Sequence, residues 1–518
     1  MCLIRGGATF RFGFELKRDR LPESLRHSVC GGRNSPPPYL HSFQESLRPV
    51  TYISTRGEAA SLTFEDVLLR GLARDGGLYV PEVWPVIAPE TIASFAGKPF
   101  AEVAAHVIGC FAGASVGPDD LRAMAEDAYG RFGHPAVTPL VQIDRNRWVL
   151  ELFHGPTLAF KDVAMQMLAR LMDHALAGRG QRAAIVGATS GDTGGAAIEA
   201  FRGSERVDVV ILFPEGRVSD VQRRMMTTPI DANVHAVAIK GTFDDCQALV
   251  KAMFNDLAFR DSINLAGVNS INWARIVAQV TYYFVAGVAL GAPYRPVSFA
   301  VPTGNFGDIL AGWVAKRMGL PIQRLTIASN ENDILPRAHA TGVYEMQGVV
   351  ETSSPSMDIQ ISSNFERFLF EASGRDAGYI RGVMGALQQG GRFELGACAG
   401  PFRETFGAVA ASEADVADAI RRTGETSGYL LDPHTACGLV ALERTQAQSE
   451  VPGIVLSTAH PAKFPDAMER ITGARPGLPE RLSSLLSLPE RFPVLANDVA
   501  EVKSFVSKAV RSAPEGVS

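Results

Sequence analysis

Short apolar runs rich in β-branched residues recur along the chain, and segments with helical spacing of apolar positions separate them. The runs cover residues 183–186, 207–212, 234–239, 297–301, 325–328 and 454–456. Strands that alternate with helices in this way are typical of βαβ units, in which a parallel sheet has helices on both faces. The pattern therefore predicts an α/β protein with open, mostly parallel sheet.

The pattern changes before this region and after it. Residues 64–73 have helical spacing that ends at the turn 75–77, which predicts a mostly helical N-terminal domain. Two apolar runs, 140–143 and 148–152, flank four polar residues and predict a β-hairpin. The expected division is an N-terminal domain over 51–139, an α/β region of two subdomains over 140–475, and a helical tail over 476–518 around 482–488 and 499–510.

Residues 1–50 differ in composition from the rest of the chain. They hold eight Lys and Arg against four acidic residues, a run of three prolines and little apolar periodicity. They have no contiguous apolar segment, so they do not match a secretory signal peptide. We expect a disordered extension or an upstream start codon wrongly chosen, with a transit-like leader as the alternative.

The one long uncharged stretch, residues 276–294, contains polar residues, two glycines and Pro293. A membrane-spanning helix needs about 20 predominantly apolar residues, so the stretch is predicted to form a buried helix. Its aromatic residues Tyr282, Tyr283 and Phe284 are expected in the core rather than against a cofactor. No membrane association is therefore expected.

Composition narrows the classes of partner. Of the 518 residues, 46% are hydrophobic and 20% charged, which is ordinary for a globular protein with a large core. The net charge of −5 and the absence of a long basic run argue against a nucleic-acid partner. The six cysteines form no C-x-x-C pair, so they indicate neither a disulfide framework nor a zinc site. We expect reduced thiols, a cytoplasmic location and no metal.

Three of the predicted strands end in loops that suit ligand binding, and in open α/β sheets ligands bind beyond the carboxyl ends of the strands. Loops 187–196 and 302–308 are glycine-rich and lead into helices, whose free N–H groups can hold an anion. Taken alone, each loop is explained about equally well as a plain turn. Neither matches a Walker or dinucleotide-binding motif. The third loop, 457–464, adds hydroxyls, an imidazole and the ammonium of Lys463.

Lysine is rare in this chain, since nine of its 50 basic residues are Lys and 41 are Arg. Lys161 nevertheless lies in the apolar segment TLAFKDVAM, at the start of a predicted helix that extends to about residue 177. A desolvated lysine can lose its proton and act as an amine nucleophile, which a guanidinium cannot. Beside two anion-type loops, Lys161 indicates pyridoxal phosphate, whose enzymes need a Schiff-base lysine and a nest for the phosphate.

The chain resembles the threonine synthases, in particular their longer bacterial and fungal form, which are fold-type-II pyridoxal-phosphate enzymes. The motifs that carry the resemblance are YISTRG (52–57), DGGLYVP (75–81), HGPTLAFKD (154–162), ATSGDTG (188–194), NSIN (269–272) with Arg275, VPTGNFGD (301–308) and TAHPAKF (458–464). They follow the family order, and the lysine motif and the last motif are highly specific. The resemblance implies two open sheets with flanking helices and the cofactor pyridoxal 5′-phosphate.

The resemblance also implies a role for each matched residue. Lys161 forms the Schiff base with the cofactor, and Thr458 places its hydroxyl against the pyridine nitrogen. The cofactor phosphate is expected on the backbone of Gly304, Asn305, Phe306 and Gly307. The substrate carboxylate is expected on Thr189, Ser190, Gly191, Asp192 and Thr193, where the wider fold type often has Asn in place of Asp192. The substrate phosphate is expected on Asn269, Ser270 and Arg275, with Lys463 as a further candidate.

The implied reaction converts O-phospho-L-homoserine and water to L-threonine and phosphate, in a monomer or homodimer. The alternatives are another fold-type-II lyase, such as a threonine dehydratase or a phospholyase, a catalytically silent ligand-sensing homologue, and a nucleotide-binding protein. An intact Lys161 argues against the silent homologue, and the missing motifs argue against nucleotide binding. His154 and His460 are candidates for proton transfer or for packing, and residues 432–434 are expected to form a structural turn.

We predict that a chain beginning near Val50 keeps both the fold and the activity, because residues 1–50 offer no apolar face with which to join the core. The measurement compares the yield of soluble protein and the specific activity of the shortened and full-length chains. Loss of soluble, active protein on truncation would show that the segment packs or assembles.

Overall fold

The structure is a computed structural model and describes residues 49–446 and 450–511. The expectations for the N-terminal extension therefore fall almost entirely outside the described residues, as does the end of the predicted tail. The described residues all belong to one unit of the chain, Ser46–Ser518.

Two large sheets form the framework. One has six strands in the order β13-β10-β9-β14-β4-β3, and the other has five in the order β15-β7-β6-β5-β8. These strands are β3 Leu140–Asp144, β4 Arg147–Glu151, β5 Ala183–Ala188, β6 Val207–Pro214, β7 Val234–Ile239, β8 Leu265–Ala266, β9 Val297–Pro302, β10 Ile322–Ser329, β13 Phe406–Ala410, β14 Gly453–Ser457 and β15 Val494–Leu495. Every pair in them is parallel except β3–β4. The prediction of open, mostly parallel sheets is confirmed.

Two small antiparallel sheets complete the strands. They pair β1 (Tyr52–Ser54) with β2 (Tyr79–Pro81), and β11 (Val343–Glu345) with β12 (Arg392–Glu394). The α-helices of the described residues are Phe64–Arg70, Pro89–Ala93, Phe100–Ala112, Pro118–Tyr129, Lys161–Gly178, Asp192–Phe201, Asp220–Thr227, Phe243–Asn255, Leu257–Ser262, Trp273–Ala289, Gly307–Arg317, Ile334–Thr341, Phe365–Ala372, Ala377–Gly390, Ala399–Thr405, Glu413–Ser427, Pro433–Gln446, Pro465–Thr472 and Val499–Ala509. Three of them follow one another between β2 and β3, so the segment between these two strands is mostly helical, as expected.

The predicted hairpin is present, but its turn is shorter than expected. The strands β3 and β4 leave two residues between them instead of four, because Asp144 and Arg147 pair across the end of the ladder. The register shifts between Gln142 and Asp144, and the guanidinium of Arg147 lies 3.4 Å from the Asp144 carboxylate. An opposite-charge cross-strand pair thus extends strands that apolar content alone would end earlier.

The uncharged stretch forms the helix Trp273–Ala289, and Tyr282, Tyr283 and Phe284 are fully buried in it. It packs against the helices Phe100–Ala112, Lys161–Gly178 and Gly307–Arg317, so protein surrounds it. The prediction of a buried helix is confirmed. Among the described residues, no helix is long and apolar enough to cross a membrane.

The C-terminal segment differs from the predicted helical tail. Residues 482–488 are not an α-helix; the structure has short 3₁₀ turns at Glu480–Leu482 and Leu485–Ser487. Pro479 and Pro489 bound the segment, and the residue before a proline is disfavoured in helical conformation, so too few residues remain for a stable helix. The strand β15 then joins the five-stranded sheet beside β7, which the sequence analysis missed.

The helix Val499–Ala509 matches the prediction and belongs to the core. Val502 and Val506 are fully buried and pack against the five-stranded sheet and the helix Phe243–Asn255. The last described helix therefore belongs to the hydrophobic core on one face of the five-stranded sheet.

We predict that Val502→Ala lowers the free energy of unfolding by about 2 kcal/mol, since it removes two buried methyl groups and leaves a cavity. Val499→Ala is the matched control on the same helix: Val499 is 37% exposed, and its replacement should change stability by less than about 0.5 kcal/mol. Urea unfolding of both variants gives the comparison. Equal stability of Val502→Ala and wild type would contradict the packing role of this helix.

Candidate active site

A cavity of about 1160 Å³ lies where β5, β9 and β14 end. It brings together thirteen of the fifteen residues that the sequence analysis singled out. They are Lys161, Thr189, Ser190, Asp192, Thr193, Asn269, Ser270, Arg275, Gly304, Asn305, Phe306, Gly307 and Thr458. Gly191 and Lys463 do not line the cavity, although both lie close behind lining residues. Residues from both large sheets thus face one space.

In the loop after β9, backbone carbonyl groups are hydrogen-bonded, whereas backbone N–H groups are free. The Gly304 carbonyl accepts a hydrogen bond from the Ser362 hydroxyl at 2.8 Å, and the Asn305 carbonyl accepts one from the Asn364 amide at 3.0 Å. The N–H groups of residues 304–307, in contrast, donate to no residue that the structure describes. Free N–H groups at the start of a helix attract an anion. The loop is therefore built to hold one.

Two features hold this loop in shape. A Cβ on Gly304 would lie 2.9 Å from the Ser356 carbonyl oxygen, so glycine is needed for this close approach. Phe306 adopts the left-handed conformation, with φ 62°, and its buried ring packs against Phe365 and Phe406. An aromatic residue rarely adopts this conformation, and packing from three sides of the core maintains it.

The helix Gly307–Arg317 that follows the loop is anchored by Asp308. Tyr282 and Tyr283 donate hydrogen bonds to its carboxyl group at 2.5 and 3.0 Å. Burial raises the pKa of Asp308 to about 7, although the two hydroxyls act in the opposite direction. The two tyrosines therefore belong to the core, as predicted, and also fix the helix that begins at the anion loop.

The loop after β5 is organised by Thr189. Its hydroxyl accepts hydrogen bonds from the N–H groups of Gly191 and Gly194, each at 2.9 Å. Gly191 has φ 142°, and a Cβ there would lie 2.6 Å from the Gln222 side chain, so this position requires glycine. The N–H groups of Ser190 and Asp192 donate to no described residue, which leaves a second place for an anion at the start of the helix Asp192–Phe201.

Asp192 lies between two lysines at the cavity wall. Its carboxylate is 3.0 Å from the Lys161 ammonium and 2.6 Å from the Lys463 ammonium, and it accepts a hydrogen bond from Gln222 at 2.8 Å. Burial alone would raise the pKa of Asp192, but the two lysine charges hold it well below its usual range. Burial lowers the pKa of Lys161; Asp192 opposes this effect and Lys463 reinforces it.

Two residues that the sequence analysis did not assign to the site complete this cluster. The Ser356 hydroxyl donates to Asp192 at 3.1 Å and lies 3.4 Å from the Lys161 ammonium. The Ser356 N–H donates to Nε2 of His434 at 3.2 Å, while Nδ1 of His434 lies 2.9 Å from the Asp432 carboxylate. Because Nε2 accepts a hydrogen bond, this geometry places the ring proton on Nδ1.

Asp432 also forms the predicted turn. Its carboxylate accepts hydrogen bonds from the N–H groups of His434 and Thr435 at the start of the helix Pro433–Gln446. The expectation of a turn is confirmed, but His434 lines the cavity as well. The hydrogen-bond partner of His434 is Ser356, and its sequence signal is the Ser-Pro-Ser turn at 354–356.

Arg275 is a buried cation that has no acidic partner in the described part of the chain. It is 3% exposed, donates to the Val268 carbonyl at 3.1 Å, and leaves its Nε without a partner among the described residues. Burial lowers its pKa to about 10. A buried guanidinium is costly unless an anion accompanies it. Arg275 on the cavity wall, near Asn269 and Ser270, therefore indicates an anionic ligand.

The loop after β9 and the segment that holds Ser270 are neighbours, and Asn364 joins them. Its side-chain amide donates to the Ser270 carbonyl at 3.1 Å and to the Asn305 carbonyl at 3.0 Å. Arg367, which is buried, donates to Asn364 and, at 2.7 Å, to the Ile271 carbonyl. No local sequence pattern marks either residue, since both contact backbone groups of segments that are distant in sequence.

The last motif brings its threonine to the cavity and leaves its histidine outside. The Thr458 carbonyl accepts a hydrogen bond from the Phe160 N–H at 2.8 Å, which places Thr458 next to Lys161. His154 is bound to Glu151 at 2.7 Å. Burial lowers the pKa of His460 to about 4, and its ring accepts from a loop N–H at 3.1 Å. Neither histidine lines the cavity. For both residues, a role in packing is therefore favoured over a role in proton transfer.

Three family models match the chain. "Threonine synthase N terminus" matches residues 51–129, "Pyridoxal-phosphate dependent enzyme" matches 132–386, and "Threonine synthase, C-terminal" matches 435–506. Together they cover most of the described residues, including the lysine motif, the anion loops and the last motif. The recognition made from the sequence motifs is confirmed.

Individual proteins agree with the family models. The threonine synthase of Pseudomonas aeruginosa is 50% identical over 459 residues, which are 88% of this chain and 98% of that protein. A crystal structure of threonine synthase from Brucella melitensis with bound pyridoxal phosphate superposes with a TM-score of 0.88 at 56% identity, over 89% of this chain and 100% of that one. The yeast threonine synthase structure gives a TM-score of 0.84 at 39% identity, over 89% and 98%. The chain belongs to the threonine synthase family of pyridoxal-phosphate-dependent enzymes.

Proposed function

We propose that this pyridoxal-phosphate-dependent lyase converts O-phospho-L-homoserine and water to L-threonine and phosphate. The observation that carries the proposal is one cavity that holds a largely enclosed lysine with a lowered pKa, two loops with free N–H groups, and an arginine that no described acid balances. We further propose that the enzyme works in the cytoplasm as a monomer or homodimer.

The residues at the end of β9 fit the cofactor. The free N–H groups of Gly304, Asn305, Phe306 and Gly307 would hold its phosphate, since their own carbonyl groups are bound elsewhere. Thr458, at the end of β14, would offer a neutral hydroxyl to the ring nitrogen. When bound, pyridoxal phosphate withdraws electrons from the bonds at Cα of an amino acid.

Lys161 would act as nucleophile and as acid and base. Its amine lies beside Asp192 and Ser356, and burial favours the uncharged form that has a lone pair. Once the substrate's amine has displaced the amine of Lys161 from the cofactor, the released Lys161 amine can take a proton from one substrate carbon and give a proton to the next. His154 and His460 lie outside the cavity, which supports Lys161 in this role.

The loop after β5 would orient the substrate through its carboxylate. Ser190, Asp192 and Thr193 line the cavity with Lys161, and the N–H groups of Ser190 and Asp192 have no acceptor among the described residues. An anion there is also favoured by the start of the helix Asp192–Phe201. Holding the carboxylate would direct the Cα–H bond toward the Lys161 amine.

Arg275, with Asn269 and Ser270, would receive the phosphate of the substrate. Arg275 carries a charge that no described acid balances, and a phosphate dianion would supply the missing counter-charge. A phosphate held there can leave as a stable anion. A dehydratase acting on an unphosphorylated amino acid would have no use for this cation.

We predict that Lys161→Ala folds but loses both turnover and the visible absorption band of the lysine-bound cofactor, because no other amine lies at this point of the cavity. Lys161→Arg should fail equally, since a guanidinium stays protonated. Absorption spectra before and after borohydride treatment, together with thermal unfolding, give the measurement. A Lys161→Ala variant with near-normal turnover would refute the assignment.

We predict that Arg275→Ala keeps the cofactor spectrum but loses turnover of phosphohomoserine by a factor on the order of 10² or more, from two charged hydrogen bonds of about 1.5–3 kcal/mol each. Ser270→Ala should cost less, because it removes one neutral group. Wild type should prefer phosphohomoserine to homoserine, and Arg275→Ala should narrow this preference.

The two phosphate sites are distinguished by the same assay. If Arg275→Ala loses cofactor and keeps its selectivity, Arg275 serves the phosphate of the cofactor, and the substrate-phosphate assignment is wrong. If wild type shows no preference for the phosphorylated substrate, a dehydratase takes the place of the proposed activity.

A further inference from the structure

Lys463 is the second lysine at the Asp192 carboxylate, and it has no access to the cavity. It is 1% exposed, and its ammonium lies 2.6 Å from Asp192 and 2.8 Å from the Thr157 carbonyl oxygen. Lys463 is not among the residues that line the cavity. These contacts direct its charge toward Asp192, and they disfavour the expectation that it binds the substrate's phosphate.

The charges of this cluster can be counted. With both lysines protonated, Lys161, Asp192 and Lys463 together carry one net positive charge in a buried site. When Lys161 is uncharged, Asp192 and Lys463 balance each other. Without Lys463, an ionised Asp192 would be balanced only by a protonated Lys161, because a buried carboxylate requires a neighbouring cation.

We propose that Lys463 is a positioning residue that neutralises Asp192 and thereby keeps the Lys161 amine uncharged and nucleophilic. The proposal rests on the proposed role of Lys161 as the lysine that binds the cofactor. Asp192 then orients the Lys161 amine by hydrogen bonding. Lys463 prevents the Asp192 carboxylate from stabilising the protonated form of that amine.

The other groups around Lys161 are consistent with this assignment. Arg275 is the further cation whose charge acts on Lys161, and like Lys463 it disfavours protonation. Ser356 contributes a neutral hydroxyl at 3.4 Å. The ring of Phe160 lies 5.6 Å from the ammonium. Among the described residues, Asp192 is thus the acid in contact with Lys161, and Lys463 is the second cation in contact with Asp192. The charge of Lys463 also acts on the buried carboxyl group of Asp162, which is bound to Thr157.

The test uses the full-length chain freed of cofactor and measures the rate at which the visible band appears on adding pyridoxal phosphate, as a function of pH. This rate follows the fraction of uncharged Lys161. Lys463→Gln keeps a hydrogen-bonding group but removes the charge. It should move the midpoint of the pH profile upward by about one unit, and so slow uptake at neutral pH about tenfold.

Two variants serve as controls. Lys463→Arg keeps the charge and should keep the wild-type midpoint. Lys98→Gln removes the same charge from the surface, where Lys98 is paired with Glu102, and should leave the midpoint unchanged. Thermal unfolding of each variant shows how much of any effect is a loss of stability.

A folded Lys463→Gln variant with the wild-type midpoint would overturn the proposal, even if its melting temperature fell, because a purely structural lysine would do no more than that. If Lys463→Gln does not fold, Asp192→Asn decides: removal of the carboxylate should move the midpoint downward, and an upward or absent shift would overturn the proposal. If Lys161→Ala still binds cofactor covalently, the proposed function fails first, which separates the two failures.

Discussion

The carboxylate of Asp192 is the contact on which the geometry of the cavity depends, because groups from both large sheets meet at it. Asp192 follows β5 of the five-stranded sheet, whereas Lys463 follows β14 of the six-stranded sheet, and Lys161 begins the helix that comes after β4. Ser356 adds a third segment. A buried carboxylate must be paired, so these segments cannot separate without leaving a charge unbalanced in a buried site. The same contact therefore fixes the position of the Lys161 amine in the cavity.

The strands and their ends could be predicted from the sequence because their signals are local. Apolar β-branched runs gave the parallel strands, and a lysine in an apolar segment of an arginine-rich chain gave Lys161. His434, Asn364 and Arg367 could not be found in this way, and the turn at 354–356 marks Ser356 only as a turn residue. Ser356 contacts Asp192 across 164 residues, and Arg367 contacts Ile271 across 96. Their importance depends on which backbone groups lie next to them after folding, and no local pattern carries that information.

The differences between prediction and structure follow from interactions that a pattern of apolar positions omits. The hairpin turn is shorter because Asp144 and Arg147 pair across it. The segment 482–488 has enough leucine for a helix, but prolines on both sides leave too few residues for one to nucleate. The two-residue strand β15 was missed because it is too short to show a period, and it forms through pairing with the edge of β7. Asp192 and Lys463 were separate candidates from sequence, whereas in the structure they are one ion pair.

The strand order also sets when this enzyme can acquire its active site during synthesis on the ribosome. In the six-stranded sheet, β14 lies between β4 and β9, so a strand from residues 453–457 fills the gap beside one from 147–151. Until β14 emerges, β4 and β9 present open edges to the cell, and pairing across such a sequence separation is slow. The same strand delivers Thr458 and Lys463. The nascent chain therefore carries unpaired strand edges, which favour aggregation, until β14 is made and the catalytic centre closes.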